Sequence, residues 1–180
     1  LVYQGGKFKG PLSITVENAE LDKTIREGLY NIEKDFTSLD AAHPVGHVTM
    51  QFHDSAAHLS VEKRLTFHHD SYMVDVSFAI EGVTESYDIG LGTNFGSVEG
   101  GDGFIGLIGS ASLVDNTIEK ETPEKGLERK GEVQWVALQD KYFLSVLIPK
   151  AGTAALAKTE DPKIVSAGVR MLSLIHISEP

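Results

Sequence analysis

The chain of 180 residues contains no cysteine, which excludes disulfides and thiolate metal sites outright. It has no apolar run near the roughly 20 residues a membrane-spanning helix needs. It lacks an excess of base: 16 Lys and Arg stand against 26 Asp and Glu, a formal charge of −10. Nucleic acid phosphates and anionic lipid heads both favour a basic face, so neither is expected as a partner. The surplus acid reads as a solubility device. There is one Trp. No His-Glu-x-x-His spacing and no Gly-x-Ser-x-Gly elbow occurs, so zinc hydrolysis and serine acyl transfer have no sequence support.

What is present is alternation. From Val45 onward the period is two: Val48, Met50 and Phe52 point one way, His47, Thr49, Gln51 and His53 the other. Leu59, Val61, Leu65 and Phe67 form a second apolar face, interrupted by Lys63, and Tyr72, Val74, Val76, Phe78 and Ile80 a third. Short turns at Asp54-Ser55 and His69-Asp70-Ser71 separate them. Three such runs predict an antiparallel meander with one wet face. Lys63 is expected on an edge strand, protected by an inward-pointing charge. Leu21, Ile25 and Leu29 have helical spacing, yet Tyr30 to Asp35 alternates, so helix and strand both stay open for Leu21–Asp35. Pro11 to Val16, Tyr87 to Thr93, Ala154 to Lys158 and Ile164 to Met171 read as further strands. Phe104 to Val114 suggests two short strands, or a strand and a bend. Asp115 to Lys130 is charged and is expected to be a surface excursion with one helical turn at Asn116 to Glu121. Glu119, Glu121 and Glu124 on it are candidate partner contacts.

Gly131 to Pro149, GEVQWVALQDKYFLSVLIP, holds the single Trp135 together with Tyr142 and Phe143. Tyr142 to Ile148 is almost unbroken apolar residue, which predicts a strand buried on both faces at the centre of the core.

Groups that could carry chemistry are scattered. Seven His match no zinc spacing. His43 and His47 are separated by Pro44 and Gly46, which forbid a helix between them. Gly101 to Gly106 matches Gly-x-Gly-x-x-Gly by letter, but no helix pattern follows it, so a nucleotide site is not expected. Glu81 with Glu85, and Asp70 with Asp75, are strand-end and turn carboxylates rather than a glycosidase pair. No catalytic, cofactor or metal residue is assigned.

Two blocks carry a family resemblance. Gly131-x-Val-x-Trp-Val-Ala-x-Gln-x-Lys-Tyr-Phe, followed by an apolar strand ending in Ile148-Pro149, resembles the end of the large periplasmic domain of the YidC membrane protein insertases. Arg64 to Val76, RLTFHHDSYMVDV, is similar to that family's pair of strands joined by a short turn. With weaker similarity between them, the blocks span residues 11–170. The motif residues are Trp135, Lys141, Tyr142, Phe143 and Pro149. The resemblance implies an all-β, two-sheet antiparallel β-sandwich, a super-sandwich similar to galactose mutarotase-like folds, with short helical turns. It implies a non-enzymatic domain without cofactor in the periplasm of a bacterial inner-membrane protein. Its partners would be Sec translocon components and nascent membrane proteins. The alternative reading is a sugar-binding or mutarotase-like module, which requires His53, His58 and His68 to converge with carboxylates and aromatics.

The chain begins with Leu1 rather than Met and is expected to be a piece of a longer protein, with a first transmembrane helix before it and others after. Residues 1–171 are expected to form one partial domain. Residues 172–180, LSLIHISEP, are expected to be a non-native tail, resembling translated sequencing-adapter DNA; the alternative is a genuine final strand.

Overall fold

The computed structural model describes residues 10–93, 109–121, 126–139, 143–161 and 164–172. Gly101 to Gly106, Glu124, Lys141, Tyr142, the side chain of Glu121 and residues 173–180 lie outside the described residues. In chain order the elements are β1 (Ser13–Val16), α1 (Ala19–Glu27), β2 (Asn31–Lys34), β3 (Val45–Asp54), β4 (Leu59–His68), β5 (Val74–Glu81) and β6 (Tyr87–Thr93). They continue with β7 (Gly109–Val114), β8 (Thr117–Glu121), β9 (Leu127–Gln139), β10 (Leu144–Leu147), β11 (Gly152–Asp161) and β12 (Ile164–Met171). The chain is all-β, with two antiparallel sheets of eight and four strands. It divides into two compact units, residues 18–84 and residues 1–17 with 85–180.

The smaller unit holds α1 and the sheet β2-β3-β4-β5. Both readings of Leu21–Asp35 are realised in succession. Asn18 caps α1, its side chain accepting from the backbone N–H groups of Glu20 and Leu21. Glu20 and Asp22 in the first turn and Arg26 in the last complement the helix dipole. The helix ends at Glu27, leaving Leu29 exposed, and β2 begins at Asn31 after three intervening residues. The expected meander follows. Its pairing sets Asn31, Gln51, Glu62 and Ala79 in one row and Ile32, Met50, Lys63 and Phe78 in the next. Lys63 lies in β4, flanked by β3 and β5, so the edge-strand reading is corrected. Its ammonium sits 5.1 Å from the Tyr30 ring centroid. Burial holds its pKa below the usual lysine value. The stem buries apolar carbon while an aromatic face receives the charge.

The larger unit is the sheet β1-β6-β12-β11-β9-β7-β8, with β10 paired to β9. Register aligns Ile14, Ile89, Val169 and Ala155 across four strands. All four are buried, as are Val136 and Leu138 of β9. Aliphatic side chains at alternate positions thus give this sheet one dry face.

Two expectations are overturned here. The run ending at Ile148 is not a strand buried on both faces: Phe143, Leu144 and Ile148 are 61, 62 and 62% exposed. Among the described strands β10 pairs with β9 alone. The doubly buried residues are instead Val136, Ala137 and Leu138, because β9 has β7 on one side and β10 and β11 on the other. Asn116 to Glu121 is not a helical turn either. Asp115 and Asn116 have φ of 50° and 63°, the left-handed pair that a two-residue hairpin turn requires. Val114 pairs with Thr117 across it, and β8 forms an edge of the sheet. Asp115 Oδ1 accepts from the Glu132 N–H at 2.9 Å, tying the turn to β9.

Candidate functional site

The face of the larger sheet opposite the aliphatic one carries two features. The first is an apolar patch. Register places Ile118, Leu113 and Trp135 in one row, Lys120, Ala111, Ala137 and Val146 in the next, and Gly109, Gln139 and Leu144 in a third. Ile148 lies just beyond the end of β10 and is exposed. Ile118 is 59% exposed, Val146 is exposed, and Leu113 and Trp135 are half-buried. None of these residues is a carboxylate, and the exposed Lys120 supplies the charge. A contiguous exposed apolar patch of this kind marks an interaction surface.

The second feature is a groove of about 340 Å³. Its floor is the row Glu128, Leu156, Gly168, Gly90 and Ser13, crossing five strands. At Gly168 a Cβ would sit 2.7 Å from the Ile89 carbonyl oxygen, so the missing side chain is what lets the strands close up. Asp88 and Glu128 line the groove, and both are bound by Arg170. Arg170 Nε and Nη2 donate to Asp88 Oδ1 and Oδ2 at 2.8 and 3.2 Å, and Nη1 donates to Glu128 Oε2 at 2.8 Å. The two-pronged hydrogen bond to Asp88 raises the guanidinium pKa further, with Glu128 adding to it. Arg170 stitches β12 to β6 and β9.

The expected contact residues separate from this face. Glu119 alternates with Ile118 and Lys120 and so belongs to the opposite side of β8, where it accepts from Arg129 Nη1 at 3.1 Å. Trp135 of the motif lies within the patch, and Pro149 is half-buried. Phe143 is largely exposed rather than packed in the core. Sequence reasoning missed Ile118, Lys120, Arg170 and Asp88. Aligning TIEKE against GSASLV across a two-residue Asp-Asn turn would have found the first two.

Histidines and carboxylates do meet, but in the smaller unit. His47 Nδ1 lies 2.7 Å from Asp35 Oδ2, and His68 Nε2 lies 3.0 Å from Asp75 Oδ2. The His47 backbone N–H, then its ring, holds Asp35 below the usual carboxylate range. The Asp40 carboxyl is lowered likewise by the backbone N–H groups of His43 and Ala42. His53, His58 and His68 do not converge. The β4 partner of His53 is Ser60, eight residues from His68, about 26 Å along a strand. The groove lining contains no aromatic and no histidine. Among the described residues, no three metal-ligating side chains come together. No described helix is long and apolar enough to cross a membrane.

The fold defines an all-β domain with an exposed apolar patch on one face of its larger sheet. The chain belongs to the YidC periplasmic domain family, whose model matches residues 8–178. It is similar to the membrane protein insertase YidC of Maridesulfovibrio salexigens, at 27% identity over 124 residues. That match covers 63% of this chain and 23% of the relative, so the chain spans about a quarter of the length of the curated relative it matches. That relative is a membrane protein insertase rather than an enzyme, and the chain is a non-enzymatic domain.

Proposed function

We propose that this domain assists the insertion and folding of inner-membrane proteins through protein–protein contacts made in the periplasm. Its partners on this reading are nascent membrane proteins and components of the Sec translocon, and its role is chaperone-like. Membership of the YidC periplasmic domain family supports the setting. The single observation supporting contact is the exposed apolar patch around Trp135 at the β8 and β10 edges of the larger sheet. Glu119 of β8 belongs to the same edge, and with Glu121 and Glu124, close to it in sequence, it is a second part of the proposed contact.

The test is site-specific photocrosslinking in the full-length protein in living cells. A photoreactive residue at Ile118 or Ile148 should capture a translocon subunit or a nascent membrane protein. The same probe at Tyr72, exposed in the smaller unit, should capture far less. Equal capture at all three positions, or none at Ile118 and Ile148, would refute the reading. If charge reversal at Glu119, Glu121 and Glu124 leaves crosslinking unchanged, the acidic side drops out of the contact.

A further inference from the structure

We infer that the apolar patch receives an amphipathic helix whose apolar stripe is flanked by carboxylates. This rests on the reading of the patch as a protein-contact face and names the class of partner. The first argument is shape. The row from Ile118 through Leu113 to Trp135 runs across neighbouring strands β8, β7 and β9, and β10 adds Val146 and Leu144. Four strands span about 14 Å from first to last, and β10, Leu144–Leu147, spans about 10 Å along the strand. That footprint matches roughly three turns of helix. An added strand would instead bond to an edge and leave this face uncovered. A helix laid on a sheet face is one of the few stable ways to cover such a surface.

The second argument is charge. The chain carries −10 overall, yet the three rows of the patch hold no carboxylate and include the exposed Lys120, while Asp88 and Glu128, in the groove of the same face, are both held by Arg170. An acid-flanked helix lying on the patch rows meets a cation there and no carboxylate of those rows. A second copy would bring Lys120 toward another Lys120 with nothing to neutralise either. An anionic lipid surface would meet a chain of its own sign.

Trp135 makes the test direct, since it is the sole tryptophan and lies within the patch. Two 14-residue helical peptides with the same leucine stripe, one with Glu and one with Lys along its flanks, are titrated against the 180-residue chain. The Glu-flanked peptide should shift Trp135 emission to the blue, saturably and at least ten-fold more tightly than the Lys-flanked one. Ile118→Asp and Ile148→Asp, at exposed positions, should abolish that binding with the far-ultraviolet circular dichroism unchanged. Lys120→Glu should remove or reverse the preference. Equal binding of the two peptides, or no response to the Glu-flanked one, overturns the inference. So does a concentration-dependent Trp135 shift without peptide that Ile148→Asp removes, which would assign the face to a second copy. Binding to phosphatidylglycerol vesicles in preference to both peptides would assign it to lipid. If crosslinking at Ile118 succeeds in cells while the peptides fail, the helix is wrong and the contact face stands. If the peptide binds but crosslinking fails, the face holds a helix and the insertion role is wrong.

Discussion

Replacing Gly168 and Gly90 separately with alanine should give very different results, although they face each other across β12 and β6. At Gly168 the new methyl would stand 2.7 Å from the Ile89 carbonyl oxygen and 3.2 Å from the Gly90 Cα. Both obstacles are backbone in the middle of the sheet, where moving one strand moves its neighbours. At Gly90 the methyl would stand 2.6 Å from the Ser13 hydroxyl, a side chain that can rotate, on the edge strand β1. Overpacking of the first kind costs about 1–3 kcal/mol, and alanine recovers about 0.4–1 kcal/mol by restricting the unfolded chain. The net for Gly168→Ala is therefore about 1–2 kcal/mol of destabilisation, or a Tm lower by roughly 2–8 °C for a protein of this size. For Gly90→Ala the terms nearly cancel, and a change within about 0.5 kcal/mol is expected. Urea unfolding followed by Trp135 fluorescence measures both, because Trp135 and the two glycines share the larger unit. The midpoint should move for Gly168→Ala with an unchanged slope. Equal shifts for the two variants, or a higher midpoint for Gly168→Ala, would refute the claim that backbone contact fixes this part of the groove.

Three further outcomes are expected. Asn116→Val places a β-branched residue at φ 63° and should lower stability by about 1–2 kcal/mol in the same urea assay. Asp35 has a lowered carboxyl pKa in the fold. Its stabilisation is present above the ordinary value of about 3.9 and is lost as pH falls through the lowered folded value, so Asp35→Asn should flatten stability measured below pH 4. Lys63 is the reverse type of group: the unfolded chain keeps its proton to higher pH than the fold does. Stability should rise with pH between the lowered folded value and about 10.4, and Lys63→Met should lack that rise while being more stable near neutrality.

The alternation from Val45 to Ile80 was legible because each side chain's direction in a strand follows from its position alone, and β3, β4 and β5 stand where that pattern put them. What the pattern could not supply is what lies over a face. Tyr142 to Ile148 reads as buried because it is apolar, yet burial comes from neighbouring strands, and those flank Val136 to Leu138 instead. Lys63 misled for a related reason. A lone cation among apolar residues fits an edge, and the aromatic that accommodates it, Tyr30, comes from a segment far away in sequence. The β8 strand was hidden by composition: Thr117 to Glu121 has one apolar residue, so only its pairing with β7 makes it a strand. Arg170, Asp88 and Glu128 lie far apart in the chain, and no spacing rule joins them before the sheet order is known.

Val16 and Tyr87 are register partners, so the backbone leaves the larger sheet and rejoins it at neighbouring points. This sets an order of assembly during synthesis. Each strand of the β2–β5 meander pairs with one made just before it, so that unit can close while the ribosome is still at work. β1 must wait for β6, and β6 for β12. At roughly 5–20 residues per second, Ser13 precedes Arg170 by about 8–30 s. A nascent chain whose residues up to Thr93 have emerged from the ribosome would hold a finished meander and, of the described strands of the larger sheet, only β1 and β6.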